Sequence, residues 1–157
     1  MKKLYIIAII TLITTGCATT ELDKFKNYLI KKEDFKCTEN TCKFEANILN
    51  NSMKVSNSYN FKTKTTTSKK IDKYNIINTT IEYNWENNIA NYHSKEYGIE
   101  TNATYDFKSD NFSCTCNNEN KEQADSKCKS VKKDIIYKKD VFLETIKKSK
   151  TKYFEKE

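Results

Sequence analysis

Cysteine supplies the most reactive side chains of this sequence, and its six copies fall into three groups along the chain. They are Cys17, Cys37, Cys42, Cys114, Cys116 and Cys128. An exported chain meets an oxidising compartment in which disulfides are the default. If Cys17 serves another purpose, five cysteines remain, and at least one thiol is then free or pairs between molecules.

The spacing of these five cysteines predicts two disulfides. We expect Cys37 to pair with Cys42 and close a short loop, and Cys128 to pair with either Cys116 or Cys114. A bond between Cys114 and Cys116 is not expected on one strand, because their Cβ atoms would lie about 6–7 Å apart on the same face. Zinc binding by the same thiolates is the alternative, but the spacing fits no common C-x₂-C pairing, so we predict no metal site.

His93, the single histidine, lies in a polar segment between two tyrosines. Tyr92 and Tyr97, together with Lys95 and Glu96, could form a binding edge around it, because Tyr is enriched in interaction hot spots. The sequence has no nucleophile elbow, no H-E-x-x-H and no EF-hand loop. A Cys–His dyad stays open, although disulfide formation would consume its nucleophile. We therefore predict a protein that is not an enzyme and needs no cofactor.

The N-terminus has the pattern of a secretory signal. Lys2 and Lys3 precede the apolar run 4–13, which is too short to cross a bilayer. The sequence Thr14-Thr15-Gly16-Cys17 that follows resembles the lipobox of bacterial lipoproteins, with Thr14 at a position that is more often aliphatic. This resemblance implies that residues 1–16 are removed and that Cys17 is acylated, for example with palmitate.

The lipoprotein resemblance also implies a location in the cell. Residues 17–157 would form one mature domain held at the membrane by lipid, since two or more acyl chains anchor stably. Ala18, rather than Asp, follows Cys17. In a Gram-negative cell this implies attachment to the outer membrane on the side that faces the periplasm, and the cell surface is the alternative location.

Composition excludes several classes of protein. The 157 residues suit one domain, and the 28 basic residues, all of them Lys, give a formal charge of +7. Two glycines and no proline exclude Gly-rich phosphate loops and Pro-rich linkers. Lys, Asn and Ile have AT-rich codons, so part of the basic charge reflects codon usage. Export argues against a nucleic-acid partner.

Hydrophobic periodicity predicts an α+β domain with an antiparallel sheet of about five strands, an N-terminal helix and a C-terminal helix. We expect a helix from a Thr20 capping box to Lys32, a hairpin over 42–63, and strands at 77–85, 99–107 and 112–116. The polar stretch 62–73 is expected to be a loop or strand ends, and the polar stretches 86–98 and 117–127 are expected to be loops. Val131, Ile135 and Tyr137 suggest one more strand, and Asp140 is expected to cap the last helix. We detect no internal repeat of fixed period.

One modification motif is present. The sequence from Glu100 to Thr104 resembles the acidic-x-Asn-x-Ser/Thr acceptor of some bacterial oligosaccharyltransferases, which would make Asn102 a glycosylation site. Four plain sequons occur, at Asn50, Asn78, Asn102 and Asn111. One acidic match among four is close to chance.

These features together favour a membrane-anchored cell-envelope lipoprotein that acts as a non-catalytic binding module for a protein partner. One alternative is an inhibitor or immunity lipoprotein directed against a toxin or wall hydrolase, which suits a small exported disulfide domain. A second is a thiol-redox protein or other small enzyme that uses a free cysteine.

Replacing the acylated cysteine tests the anchor. Cys17→Ser removes the thiol that the lipid would modify, so we expect the variant to leave the detergent phase on phase separation or to stay uncleaved. Cys116→Ser, which keeps Cys17, is the matched control and should partition like the wild type. Unchanged detergent partitioning of Cys17→Ser would contradict the lipoprotein assignment.

Overall fold

Alternating side chains and Asn-rich turns fold most of the chain into one antiparallel sheet. The computed structural model describes residues 21–154, and its eight strands pair in chain order from β1 to β8. The strands are β1 (Phe35–Cys37), β2 (Thr41–Ile48), β3 (Met53–Asn60), β4 (Thr65–Asp72), β5 (Ile77–Asn84), β6 (Ile89–Glu96), β7 (Ile99–Asp106) and β8 (Asn111–Cys116). The helices are α1 (Glu21–Ile30) and α2 (Lys121–Phe154). The α+β class with a helix near each end is confirmed, whereas the prediction of about five strands is wrong.

Two of the strands that the sequence did not indicate lie where loops were expected. β4 falls within 62–73 and β6 within 86–98. β4 pairs with β3 and β5 along its length, but its residues are mostly Thr, Ser and Lys, so it lacks an apolar alternation. The buried side chains of β6 are Ala90, Tyr92 and Ser94. Because Ala90 is small and Ser94 is polar, the strand shows no clear apolar alternation. Neighbouring strands, rather than local periodicity, specify these two elements.

The C-terminal region is one long helix. Val131 and Ile135, which we predicted on a strand, are four residues apart on the buried side of α2. Asp140 lies inside this helix and does not cap it. The cap is Asn120, whose Oδ1 accepts a hydrogen bond of 3.1 Å from the backbone N–H of Gln123. The expected loop 117–127 is therefore helical from Lys121 onward.

The central strands follow a repeat that composition conceals. β2 to β6 begin at residues 41, 53, 65, 77 and 89, a spacing of 12 in which each of the eight-residue strands β2 to β5 is followed by a four-residue turn. Our expectation of no fixed period was wrong. The period is carried by strand and turn length, and the side chains at equivalent positions differ widely.

Asn and Asp perform the turn chemistry in this glycine-poor sheet. Oδ1 of Asn60 accepts hydrogen bonds of 3.0 Å from the backbone N–H groups of Lys62 and Thr63. Two turns later in the chain, Oδ1 of Asn84 accepts the equivalent hydrogen bonds from the backbone N–H groups of Glu86 and Asn87. Asn75 and Asn88 take the left-handed backbone conformation, which Asn tolerates better than most residues. Between β6 and β7 the turn has two residues, Tyr97 and Gly98, both with positive φ, as a tight hairpin requires.

Both helices cover one face of the sheet, which we call the inner face; the other is the open face. The core on the inner face is aromatic and centres on Phe142 of α2. Its ring lies 5.1 Å from Trp85, 5.7 Å from Tyr83 and 6.1 Å from Phe25 of α1. Phe25 and Leu29 are fully buried and lie on the side of α1 that faces the core. Its predicted Thr20 cap lies outside the described residues, as do residues 1–16 and Cys17.

Two disulfides tie the ends of the structure to the sheet. Cys37 and Cys42 lie opposite each other on β1 and β2, with Cα atoms 4.0 Å apart. Cys114 of β8 bonds Cys128 of α2, with Cα atoms 5.9 Å apart. Of the two partners proposed for Cys128, the structure therefore uses Cys114, and Cys116 is the free cysteine among residues 21–154.

The aromatic core makes Phe142 the most sensitive position of α2. Phe142→Ala removes a ring that is 3% exposed and should lower the free energy of unfolding by about 3–5 kcal/mol. Leu143→Ala changes the neighbouring residue, 39% exposed, and should cost about 1 kcal/mol or less. Urea unfolding followed by far-ultraviolet circular dichroism measures both. Equal losses in the two variants would contradict this core.

Candidate functional site

One end of the sheet exposes apolar side chains. The turns 49–52, 73–76 and 97–98 lie side by side there, and we call this set of turns the tip. Backbone hydrogen bonds join them, from Lys73 N–H to Ser52 C=O at 2.9 Å and from Tyr97 N–H to Ile76 C=O at 3.1 Å. The tip is therefore one connected surface.

The apolar residues of the tip are exposed to an unusual degree. Tyr97 is 75% exposed, Tyr74 72%, Leu49 67% and Ile76 43%. Residues of this kind at one place on a small protein mark an interaction surface more often than a solvated one. Tyr contributes a large apolar ring with a polar tip, which makes it a frequent binding anchor.

The opposite end of the sheet shows that exposure is not a general property of these turns. Phe61, Trp85 and Phe107 each follow a strand directly, as Leu49 and Tyr97 do. All three pack against the core instead: Phe61 lies 6.0 Å from Phe25, and Phe107 lies 6.0 Å from Tyr83. Among the turns of the sheet, apolar exposure is thus concentrated at the tip; the helices carry further exposed apolar residues at Ile30, Tyr137, Val141 and Leu143.

α1 lies toward the end of the sheet that is remote from the tip. Phe25 contacts Phe61, and Lys26 donates a hydrogen bond to the carbonyl of Glu39 in the turn beside it. α1 runs from Glu21 to Ile30, so these two contacts place the middle of the helix at the remote end. Leu143 to Phe154 continue α2 beyond Phe142, which stacks on Trp85 at the same end.

The structure separates the three residues of the predicted binding edge. Tyr92 points to the inner face and is 4% exposed, so its expected exposure is wrong: alternation along β6 turns it away from His93. His93 lies on the open face, and Tyr97 lies at the tip. Sequence reasoning missed Leu49, Tyr74 and Ile76, whose turns lie beside that of Tyr97 because alternate turns of the 12-residue repeat fall at the same end of the sheet.

His93 borders a shallow depression of about 490 Å³ on the open face. Its Nδ1 lies 2.7 Å from Oδ1 of Asn102 on β7, so the ring nitrogen donates to the carboxamide oxygen. Thr104 donates to Oδ1 of Asn91 at 3.1 Å. These contacts fix the orientations of polar side chains in the sheet but bring no nucleophile to His93.

Asn102, the predicted glycosylation site, is exposed in the middle of β7. Its backbone is paired with both β6 and β8, and its side chain is held by His93. A transferase would therefore have to reach Asn102 before the sheet forms. Glycosylation at Asn102 stays a prediction.

A second cleft, of about 410 Å³, lies beside the tip between β6, β7, β8 and the first turns of α2. It contains the free Cys116 and an ion pair between Lys127 Nζ and Glu96 Oε2 at 2.8 Å. Partial burial lowers the pKa of Lys127, but the hydrogen bond and charge of Glu96 outweigh it and raise that pKa above its ordinary value. Thr79 also donates to Glu96, at 3.3 Å.

Comparison with protein-family models, curated proteins and solved structures finds no match for this chain. Within residues 21–154, no group of three or more His, Cys, Asp or Glu side chains is arranged to hold a metal ion. In the same part of the chain no helix combines the length and the apolar character needed to cross a membrane.

The Lys127–Glu96 pair gives stability a defined pH dependence. A lysine whose pKa is raised by folding stabilises the protein fully below its unfolded pKa of about 10.4, and this contribution is lost as the pH rises through the folded value. Glu96→Gln should therefore lower the unfolding free energy at neutral pH, and its difference from the wild type should narrow above about pH 10.4. Denaturant unfolding across this range measures the effect. Glu82→Gln, on the open face, is the control, and a Glu96→Gln deficit that persists unchanged at high pH would contradict the assignment.

Proposed function

We propose that this protein is a lipid-anchored cell-envelope binding module that docks a protein partner through its tip and is not an enzyme. The lipid at Cys17 holds it on the outer membrane, facing the periplasm, where the host has such a membrane. The observation that carries the proposal is the concentration of Leu49, Tyr74, Ile76 and Tyr97 at one end of the sheet.

The position of α1 supports a role for the tip away from the lipid. A strand of eight residues spans about 26 Å, which separates the tip from the end of the sheet that Phe25 and Lys26 of α1 contact. Three residues lie between Cys17 and Glu21, and the four links from Cα to Cα reach at most about 14 Å. An anchor attached through α1 therefore leaves the tip on the far side of the domain, where a partner can approach.

The chemistry of the tip favours a protein as its occupant. Two exposed tyrosines and two aliphatic residues provide the apolar centre that protein interfaces bury, and the neighbouring Lys73 and Lys95 provide a polar rim. The depression at His93 lacks such anchors, because His, Asn, Thr, Ser and Glu side chains dominate it. A lipid surface is less compatible with a tip that lies opposite the anchor.

A cross-linked pull-down of the lipoprotein from native membranes tests the proposal with matched variants. We expect one stoichiometric protein partner for the wild type. The double variant Tyr74→Ser/Tyr97→Ser should lose it, since each hot-spot residue contributes about 2 kcal/mol or more, roughly 30-fold in affinity. Tyr137→Ser removes a tyrosine that is 64% exposed on α2 and should bind like the wild type.

The outcomes separate the tip from other surfaces. A partner that survives the double tip substitution would overturn docking at the tip, and loss of the partner in Tyr137→Ser as well would indicate a general defect. Recovery of lipid or glycan alone, with a cross-linking control confirmed, would overturn the proposal of a protein partner.

A further inference from the structure

The three C-terminal cysteines form a cluster that the proposed binding function does not use. Cys114 and Cys116 are separated by one residue of β8, so their side chains point to the same face about 6–7 Å apart. The disulfide joins Cys114 to Cys128, and the free thiol of Cys116 lies next to it. All three residues are partly exposed rather than sealed in the core.

The cleft beside the tip brings Cys116 to the helix that carries Cys128. Cys116 lines this cleft together with Ser126, Lys127 and Ser130, which flank Cys128 on α2. The space of about 410 Å³ leaves room for the side chains to move. Cys116 therefore faces the segment of α2 that contains Cys128 across an open space between the strand and the helix.

Polar groups around Cys116 suit a reacting sulfur. The hydroxyl of Thr101, itself fully buried, donates to Sγ of Cys116 at 3.4 Å. Lys127 and Glu96, joined in an ion pair, line the same cleft. The thiolate is the form of cysteine that attacks a disulfide.

We propose that these cysteines form an internal thiol–disulfide exchange site, in which Cys116 and Cys114 alternate as the partner of Cys128. The thiol of Cys116 loses its proton, and its sulfur attacks Sγ of Cys128. The Cys116–Cys128 bond forms as the Cys114–Cys128 bond breaks, and Cys114 leaves as a thiolate that takes up a proton. One disulfide and one thiol are present before and after, so no oxidant or reductant is consumed.

The exchange changes the surface next to the tip. The attachment of α2 to β8 moves by two residues, about 6–7 Å along the strand toward the tip. Lys127 precedes Cys128, and its partner Glu96 immediately precedes Tyr97. The two disulfide isomers therefore present different clefts beside Tyr97.

Peptide mapping of the full-length protein without reduction tests the exchange directly. The wild type is held without oxygen at about pH 6 or about pH 8.5, quenched with acid, alkylated and digested. We expect alkylated Cys114 and a Cys116–Cys128 linked peptide to accumulate, and to do so faster at the higher pH because the thiolate is the attacking form. Alkylation confined to Cys116 after long incubation at high pH would overturn the proposal, as would disulfide-linked dimers in place of the internal isomer.

Two single variants test the geometry independently of the rate. Cys114→Ser should form the Cys116–Cys128 bond in the folded protein, which circular dichroism verifies. Cys116→Ser is the matched control and should keep only Cys114–Cys128. If folded Cys114→Ser leaves both Cys116 and Cys128 open to alkylation, the sulfurs cannot meet and the proposal is wrong. The wild-type measurement decides the matter if Cys114→Ser does not fold.

Discussion

The packing of aromatic rings around Phe142 holds the sheet and both helices together. Phe142 lies on α2, contacts Phe25 of α1, and stacks on Trp85 at the end of the sheet. A single sheet buries nothing unless one face is covered, so this cluster decides which face becomes the core. Both helices pack on the inner face of the sheet, and no element among residues 21–154 covers the open face.

The sequence was informative where apolar residues alternate and uninformative where they do not. Ile77 to Trp85 and Ile99 to Phe107 show a clear period of two and are strands. β4 has no comparable pattern, because its stability derives from hydrogen bonds to β3 and β5 that local composition does not show. The strand prediction for 131–137 was wrong for another reason. A short apolar run fits a strand or a buried helix equally well, and only the length of the whole element distinguishes the two.

The candidate sites were predictable only in part. Sequence proximity grouped Tyr92, His93 and Tyr97, but one step along a strand reverses the direction of a side chain, and a turn removes it from both faces. Tyr97 alone reaches the tip, and its neighbours there are 21 and 48 positions earlier in the chain, at Ile76 and Leu49. The five-residue spacing of Cys37 and Cys42 was sufficient to predict their disulfide. Which of Cys114 and Cys116 bonds Cys128 depends on where α2 crosses β8, which spacing does not show.

The order of the strands also determines the order in which this protein can be completed. Every strand pairs with its sequence neighbours, so the sheet grows by adding a strand and a turn about every 12 residues and needs few distant contacts within the sheet. α2 comes last in the chain and, with α1, covers the inner face. Where folding proceeds from the N-terminus, the aromatic side of a nearly finished sheet is therefore exposed until α2 packs on it. An exposed apolar surface of this kind favours aggregation, so the packing of α2 is the step that ends that exposure.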